Sequence, residues 1–470
     1  MGRSISKILL IIITLVVPFI GHTQSVFNKA FDASNTANRT SNALELNGSY
    51  YFTQKTFKNN DVQIEAVELD SMGNVLNKKD IVTNTLYNLF YGYAGSFQYL
   101  SNNEFCQLYK VGPDSSLRLV FFDTNLVVIR DVEVYQGYYT GAYTIKQIND
   151  STIIIVGQVW TSSGDIIVID TDLQGNSRWQ TIIGDPNKSD VGFDIEVLNS
   201  KILISGHTYD LGPHIYELDY GGTLIFDTIY SNYDFGRNIK YHPNFGLYFL
   251  VDNENRGNSQ RYPILLKLNL DYTINWEKEY FKNDLLTYFQ QFTIRDDGVL
   301  TFGGGFVDND FRGLFFQVNH NGDSLGSKLI DHIPGERAQF HDIRPTSDGG
   351  FILAGEAHTP GQDSWIVKVN AWGCDNIPCV VSVNEPEISI GELNCYPNPT
   401  NGAGTISGSL SSLNGESKIK VFNSIGQLIQ TISITQKDFE VQVNLSQNGL
   451  YLVNLYQGAE LIQSRKWVVR

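Results

Sequence analysis

A seven-bladed β-propeller of four-stranded blades, followed by a second all-β unit, is the architecture this sequence predicts. Three observations carry it. First, an apolar residue followed at once by Asp or Asn recurs seven times: Leu69-Asp70, Phe122-Asp123, Ile169-Asp170, Leu218-Asp219, Leu268-Asn269, Val318-Asn319 and Val369-Asn370. From 69 to 369 in six steps the mean period is about 50, in the range of solenoids, propellers and arrays. Second, four short strand-like runs recur within one period, rich in β-branched and aromatic residues and free of internal Pro. Third, the fourth run is missing after Asn370, while an unassigned run of that kind, Val26–Asp32, stands near the start of the chain.

The fourth unit shows the runs plainly: Gly192–Leu198, Lys201–His207, His214–Asp219 and Thr223–Ile229. Counterparts of the second run are Ser49–Thr53, Phe105–Tyr109, Ile153–Gly157, Leu247–Val251, Val299–Gly303 and Phe351–Gly355. Turns fall at Asn199-Ser200, Gly221-Gly222, Asp297-Gly298 and Asp348-Gly349-Gly350, residues that accept positive φ. Four-stranded units repeated in this way predict propeller blades. The first strand should then complete the last blade, closing the ring and hiding two sheet edges that would otherwise invite aggregation. Each repeated Asp or Asn is expected to cap a hairpin turn by bonding amides two residues on. Asp170-x-Asp172 superficially resembles the start of a calcium loop, but its twelfth position is Thr181 instead of the bidentate Glu such a loop uses.

The first 23 residues read as a processing segment. Arg3 and Lys7 precede an apolar stretch, Ile8–Ile20, broken by Pro18, and small residues at Gly21 and Thr23 permit cleavage before Gln24. The stretch is too short to span a bilayer as a helix, so no transmembrane segment is expected in the mature chain. No cysteine precedes Cys106, which excludes a lipoprotein anchor at the cleavage site. Export permits disulfides. Cys374 and Cys379, close together where the repeats stop, are expected to pair, and Cys106 and Cys395 to be buried free thiols. A net charge of −16, with no basic run beyond the first seven residues, argues against nucleic-acid or anionic-membrane partners.

Composition changes after Cys379. Residues 380–393 carry Glu385, Pro386, Glu387 and Glu392 and read as a linker between a propeller over 24–379 and a unit over 394–470. That unit opens on Tyr396-Pro397-Asn398-Pro399 and continues through Ile419-Lys420-Val421-Phe422-Asn423-Ser424-Ile425-Gly426-Gln427. Leu445, Gly449-Leu450-Tyr451-Leu452-Val453 and a last strand around Lys466 follow. In this order the segments resemble the type A C-terminal sorting domain of the type IX secretion system of Bacteroidetes-type bacteria. Trp467, where an aliphatic residue is usual, and the loose Gly402-Ala403-Gly404 turn are departures. The resemblance implies a seven-stranded Ig-like sandwich and a route: through the periplasm, then across the outer membrane by the type IX machinery. It also implies release or attachment to surface lipopolysaccharide. The best repeat copy, Thr346–Gly355 continued by Asp363–Asn370, is similar to repeats common in such cargo, a group with no single activity to carry over.

Catalytic motifs are missing from the sequence: no His-Glu-x-x-His, Cys-x-x-Cys or Gly-x-Ser-x-Gly occurs among its eight histidines and four cysteines. His341-Asp342 is an adjacent His–acid pair, but neighbours on a strand point to opposite faces. Comparing the blades' inner strands near the channel mouth aligns Asn42-Ala43-Leu44, Gly95-Ser96-Phe97, Tyr143-Thr144-Ile145, Phe193-Asp194-Ile195, Arg237-Asn238-Ile239, Phe292-Thr293-Ile294 and His341-Asp342-Ile343. The varied first positions Tyr143, Phe193, Arg237, Phe292 and His341 form a candidate ligand mouth, joined by the carboxylates Asp194, Glu196 and Asp342. Arg237, Lys240, Arg295 and Arg344 are the expected counter-charges. With no catalytic motif, the expected function is non-catalytic recognition of a glycan or protein by an exported propeller, with no cofactor or metal. The competing reading is a secreted glycosidase or lyase using two carboxylates at the mouth, set at the separation its mechanism requires.

Overall fold

The computed structural model describes residues 25–375 and 393–470, apart from 32–37, 59–60, 85–89, 92–94, 113–115, 138–139, 161–162, 256–259, 282–285, 308–310, 360, 411–416, 424–426 and 458–459. The processing segment 1–23, Cys379, Gly426 and all of the expected linker except Leu393 fall outside the described residues. The chain divides into two compact units, residues 1–382 and 383–470. Among the described residues every regular element is a strand, and no helix is long and apolar enough to cross a membrane.

The first unit contains seven antiparallel blades, beginning at residues 39, 90, 141, 190, 235, 286 and 338. Blades 3 and 4 run in simple order from inner to outer strand, 141–183 and 190–229. In blade 2 the inner strand is split into Phe90–Tyr91 and Phe97–Tyr99, both paired with Phe105–Val111. Blade 7 has only three strands of its own, Ala338–Pro345, Phe351–Thr359 and Gly361–Val369. Its outer strand is Phe27–Phe31, paired antiparallel with Phe27 opposite Lys368 and Phe31 opposite Ser364. The expected closure of the ring by the first strand is thus observed.

The turn between third and outer strands explains the repeat that marks the sequence. Asp70 Oδ1 accepts the amides of Met72 and Asn74, both at 2.8 Å. Asp123, Asp219, Asn319 and Asn370 make the same pair of bonds. Blade 3 departs from expectation. Its third strand runs two residues further, so Asp172 is the cap, accepting from Gln174 and Asn176, while Asp170 binds Arg178 at 2.5 Å. In blade 5 the amide of Thr273 goes to Asp271 Oδ1, and the Asn269 side chain reaches Thr273 Oγ1 instead.

Several of these turns also seat an aromatic ring of the preceding blade. Gly222, at φ +82°, lies so close under Trp179 that a Cβ would come within 2.5 Å of the indole. At the ring junction Gly73 takes Phe27 in the same way, with a Cβ falling 2.7 Å from its ring. Phe27 therefore does for blade 1 what an internal blade's aromatic does for its neighbour, and it joins Tyr50, Phe52, Ile352 and Ile366 in one core cluster. Asn28 ties the strand down: it donates to the Asp331 carbonyl and accepts from Trp365 Nε1 at 2.7 Å.

Among the described residues the second unit has seven strands in two sheets: Asn394–Tyr396, Ala403–Ser409 and Asp438–Asn444 in one, Leu428–Ile434, Ser417–Asn423, Gly449–Gln457 and Glu460–Val469 in the other. This is the expected small sandwich. Its core includes Ile419, Val421, Tyr451, Val453, Leu455 and Trp467, and extends to Leu393, one residue before the expected boundary. Tyr451 OH donates to the Gln447 carbonyl, and Gly449 opens the strand that carries it. The opening segment is bonded to the last strand: Trp467 Nε1 donates to the Pro397 carbonyl at 2.8 Å, and Asn398 exchanges bonds with Lys466 and Val468. Thr400 lies beside Pro399 and bridges to Val469. The two departures noted in the sequence answer each other, since a Cβ on Gly404 would lie 2.3 Å from Trp467. Glycine there makes room for the larger ring.

Cys374 is disulfide-bonded; Cys106 is buried and free, and Cys395 is free and half-buried. Burial pushes the Cys395 thiol up to about 11, which leaves it protonated and unreactive at neutral pH.

Candidate binding mouth and channel

Among the described residues the inner strand of every blade but the second carries an irregularity of register near its start. A bulge falls between Ala142 and Thr144, Gly192 and Asp194, Gly236 and Ile239, Phe289 and Gln291, and Phe340 and Asp342, with another between Thr40 and Ala43 in blade 1. A bulge adds one residue to one strand and re-aims its side chain. Downstream of it, every blade places a buried polar residue: Asn42, Ser96, Thr144, Asp194, Asn238, Gln291 and Asp342. The next residue is apolar and buried between blades: Ala43, Phe97, Ile145, Ile195, Ile239, Phe292 and Ile343.

This register corrects two of the aligned triplets. In blade 6 the extra residue is Gln290, so the triplet is Gln290-Gln291-Phe292. Phe292 stands one position below the outer ledge: it packs with Leu300, Phe302 and Phe316 and borders the channel chamber, because a slip of one residue moves a strand side chain to the other face. In blade 1 Ala43 pairs with Phe52, which puts Asn42 in the polar ring and Ala43 in the core.

Below the polar ring lies a chamber of about 320 Å3, bordered by residues from all seven inner strands. Most of its charges are paired; Glu45 instead accepts from the Ser347 amide and hydroxyl. Lys240 Nζ is 2.5 Å from Asp194 Oδ2, Lys146 Nζ 2.7 Å from Glu196 Oε1, and Arg344 Nε 2.8 Å from Asp342 Oδ2. Burial would lower the Lys240 ammonium, but Asp194, Glu196 and Asp342 outweigh it and hold it raised. Lys146 was not among the expected counter-charges. Two of those that were go elsewhere: Arg295 to Asp297 in a hairpin turn and Arg237 to Asp252. The polar ring also bonds blade to blade: Asn42 donates to Asp342 across the junction of first and last blades, and Ser96 of blade 2 donates to Asn42.

At the other level, where inner strands begin, the varied first positions meet. Tyr143 and Phe193 contact edge to face at 6.0 Å, the Arg237 guanidinium lies 5.8 Å from the Phe193 ring, and Arg237 Nη1 donates to Gln290 Oε1 at 3.2 Å. Four adjacent blades thus contribute to one continuous ledge. His341 and Asp342 take different partners: His341 Nε2 stands 3.4 Å from Glu356 Oε2, in ion-pair reach but outside hydrogen-bond geometry. Gln339 and Gln362 donate to the same carboxylate, and Tyr288 OH reaches Gln339. Burial alone would raise Glu356, yet His341, Arg39 and the Gln339 amide hold it down at about 2. Inner-strand comparison missed Arg261 and Asp252, which lie on the third and second strands of blade 5. Asp252 Oδ2 accepts from Arg237 Nε at 2.9 Å and from Arg261 Nη2 at 2.8 Å. Among the described residues, no group of three or more His, Cys, Asp or Glu side chains is placed to hold a metal ion.

Residues 394–470 match the family described as secretion system C-terminal sorting domain. No curated protein matches the chain. Among solved structures, an ulvan lyase of a polysaccharide lyase family aligns with a TM-score of 0.52 at 8% identity, over 73% of this chain and 96% of that one. The β-propeller domain of the Trilobed protease from Pyrococcus furiosus aligns at 0.45 and 10% identity, over 74% of this chain and 100% of that one. A protein of unknown function from Bacteroides caccae aligns at 0.38 and 11% identity, over 63% and 94%. At such identities the likeness bears on the fold alone. The C-terminal unit is a type IX secretion system sorting domain, and the β-propeller ahead of it is cargo exported to the outer cell surface or the medium.

Proposed function

We propose that this exported propeller is a recognition platform, displayed at the surface or released, whose channel mouth binds a glycan or a protein without transforming it. The observation that carries the reading is the continuous ledge of Tyr143, Phe193 and Arg237 on three adjacent blades. The half-buried Phe193 ring, backed by the buried Tyr143, stands beside a guanidinium that supplies directional donors, and aromatic rings and arginine dominate binding energy at recognition surfaces. The carboxylates that a glycosidase or lyase would use, Asp194, Glu196 and Asp342, are each held by a cation. A carboxylate so engaged is poorly placed to accept or deliver a proton. Attachment to surface lipopolysaccharide, or release, would follow export.

The test is retention of glycans and of bacterial and host surface proteins on the purified secreted chain. Retention of at least one, lost in Phe193→Ala, is the expected result. Retention of none overturns the reading, and so does breakdown of a polysaccharide that the chain binds.

A further inference from the structure

Arg237 and Arg261 share a single carboxylate, and that carboxylate is only half used. Both guanidinium groups address Asp252 Oδ2, while the buried Oδ1 has no partner among the described residues. Two cations on one anion leave a net positive charge, and both arginine side chains are largely buried, 15% and 22% exposed. Neighbouring His207 reports the same field: burial first, then the Arg237 and Arg261 charges, push it down to about 4, against a weaker pull from Asp234. In a chain of net charge −16 this excess is local. An uncompensated, partly buried cation is unfavourable, and an arriving anion relieves it.

Aromatic rings flank the pair on both sides. The Arg237 guanidinium lies against Phe193, and that of Arg261 is 4.6 Å from the Phe235 ring. Tyr143 is buried and backs Phe193 edge to face, fixing the orientation of its ring. A planar fork accepts carboxylate or sulfate in bidentate fashion, and aromatic faces accept the C–H face of a pyranose. Neutral sugars would leave the excess charge unanswered, and a bare inorganic anion would leave the rings unused.

We propose that the mouth over blades 4 and 5 binds an anionic saccharide, its carboxylate or sulfate taken by Arg237 and Arg261 and its ring laid against Phe193, which the buried Tyr143 backs edge to face. The proposal rests on the recognition reading above and names its ligand class. Asp252 acts as a built-in competitor that holds the two guanidinium groups in place until the ligand anion arrives.

The experiment measures equilibrium binding of the secreted chain to oligogalacturonate, to a sulfated oligosaccharide and to a neutral xylo-oligosaccharide of equal length, at low and at raised salt. An acidic oligosaccharide is expected to bind, more weakly as salt rises, and the neutral one not to; the uronate and sulfate arms assign the charged group. Arg261→Gln and Arg237→Gln each lower affinity about tenfold or more. Asp252→Asn, which removes the competing charge, raises it; a purely structural pair would lose affinity in all three variants. Thermal melts confirm that each variant is folded. Equal binding of neutral and acidic oligosaccharides overturns the proposal and leaves the recognition reading standing. So does wild-type affinity in folded Arg261→Gln, or retention of proteins but no saccharide. Retention of nothing overturns both.

Discussion

The two units are closed by the same device at opposite ends of the chain. In the propeller the first strand lays Phe27 over Gly73; in the sandwich the last strand lays Trp467 over Gly404. The supports around the two rings differ. The propeller's closing strand has five residues and only Phe27 is fully buried, so its junction is helped by polar contacts between blades 7 and 1: Asn42 to Asp342, Ser347 to Glu45, and Arg39 to Glu356. The sandwich's closing strand has ten residues, and its aromatic is wholly buried at the centre of the core. A repeat ring spreads its closure over many modest contacts, because every blade interface resembles the next. A single small core concentrates closure in one side chain.

Deleting residues 24–34 tests the first half of that contrast most severely. It removes a full ladder strand from blade 7 as well as Phe27, so the loss should exceed the about 3–5 kcal/mol typical of emptying one buried phenylalanine site. The propeller's melting midpoint should fall sharply, whereas removing residues 394–470 should leave it unchanged. An unchanged midpoint after the N-terminal deletion would refute closure by the first strand. Trp467→Ala tests the second half. It should cost the sandwich about 3–5 kcal/mol, enough to unfold most of a domain this small. The readout is export: the variant should collect in the periplasm with its propeller transition intact. Normal secretion of a protease-sensitive tail would break the assignment.

Gly404→Ala is the gentler form of the same test. A methyl group 2.3 Å from the indole must displace either the strand or the ring, an overpacking cost of about 1–3 kcal/mol. The second substitution Trp467→Leu, which restores the usual aliphatic, should recover most of that loss. Recovery in the double variant is the decisive measurement, because unrelated destabilisations would simply add.

That pair of residues also shows where sequence reading stopped. Trp467 and Gly404 were visible as two departures from a pattern, but only packing shows that one accommodates the other. The number of blades and the closure were legible because the chain repeats: one missing outer strand and one surplus strand near its start have a single economical solution. Registers within the repeat were less legible. Asp170 and Asp172 are both plausible caps by spacing, and the strand's actual length decides between them. Phe292 was misplaced by one residue because a bulge leaves no compositional mark, and in a strand one residue inverts the face. The ledge of Tyr143, Phe193 and Arg237 was found by comparing inner strands alone. That comparison could not reach Arg261 and Asp252, which meet Arg237 only because the three neighbouring strands of blade 5 are hydrogen-bonded side by side.

Acid should separate the two closures, with the smallest effect expected here. At the propeller junction Glu356 is paired with Arg39 of blade 1 at 3.5 Å, with His341 of its own blade 3.4 Å away. Its folded value near 2 lies below the 4.5 of an unperturbed glutamate, so folding favours the ionised form. That contribution is complete above about pH 4.5 and fades as pH falls toward 2. The contacts that bind the sandwich's opening segment to its last strand at Trp467, Asn398 and Thr400 involve amides, carbonyls and an indole, none of which titrates in that window. Denaturant midpoints of the two units, followed separately, should therefore diverge between pH 4.5 and 3, the propeller weakening faster. Glu356→Gln should lower the propeller's midpoint at neutral pH and narrow its gap from wild type as the solution is acidified. A gap that stays constant with pH would show that the Glu356 carboxylate packs at the junction without supporting it electrostatically.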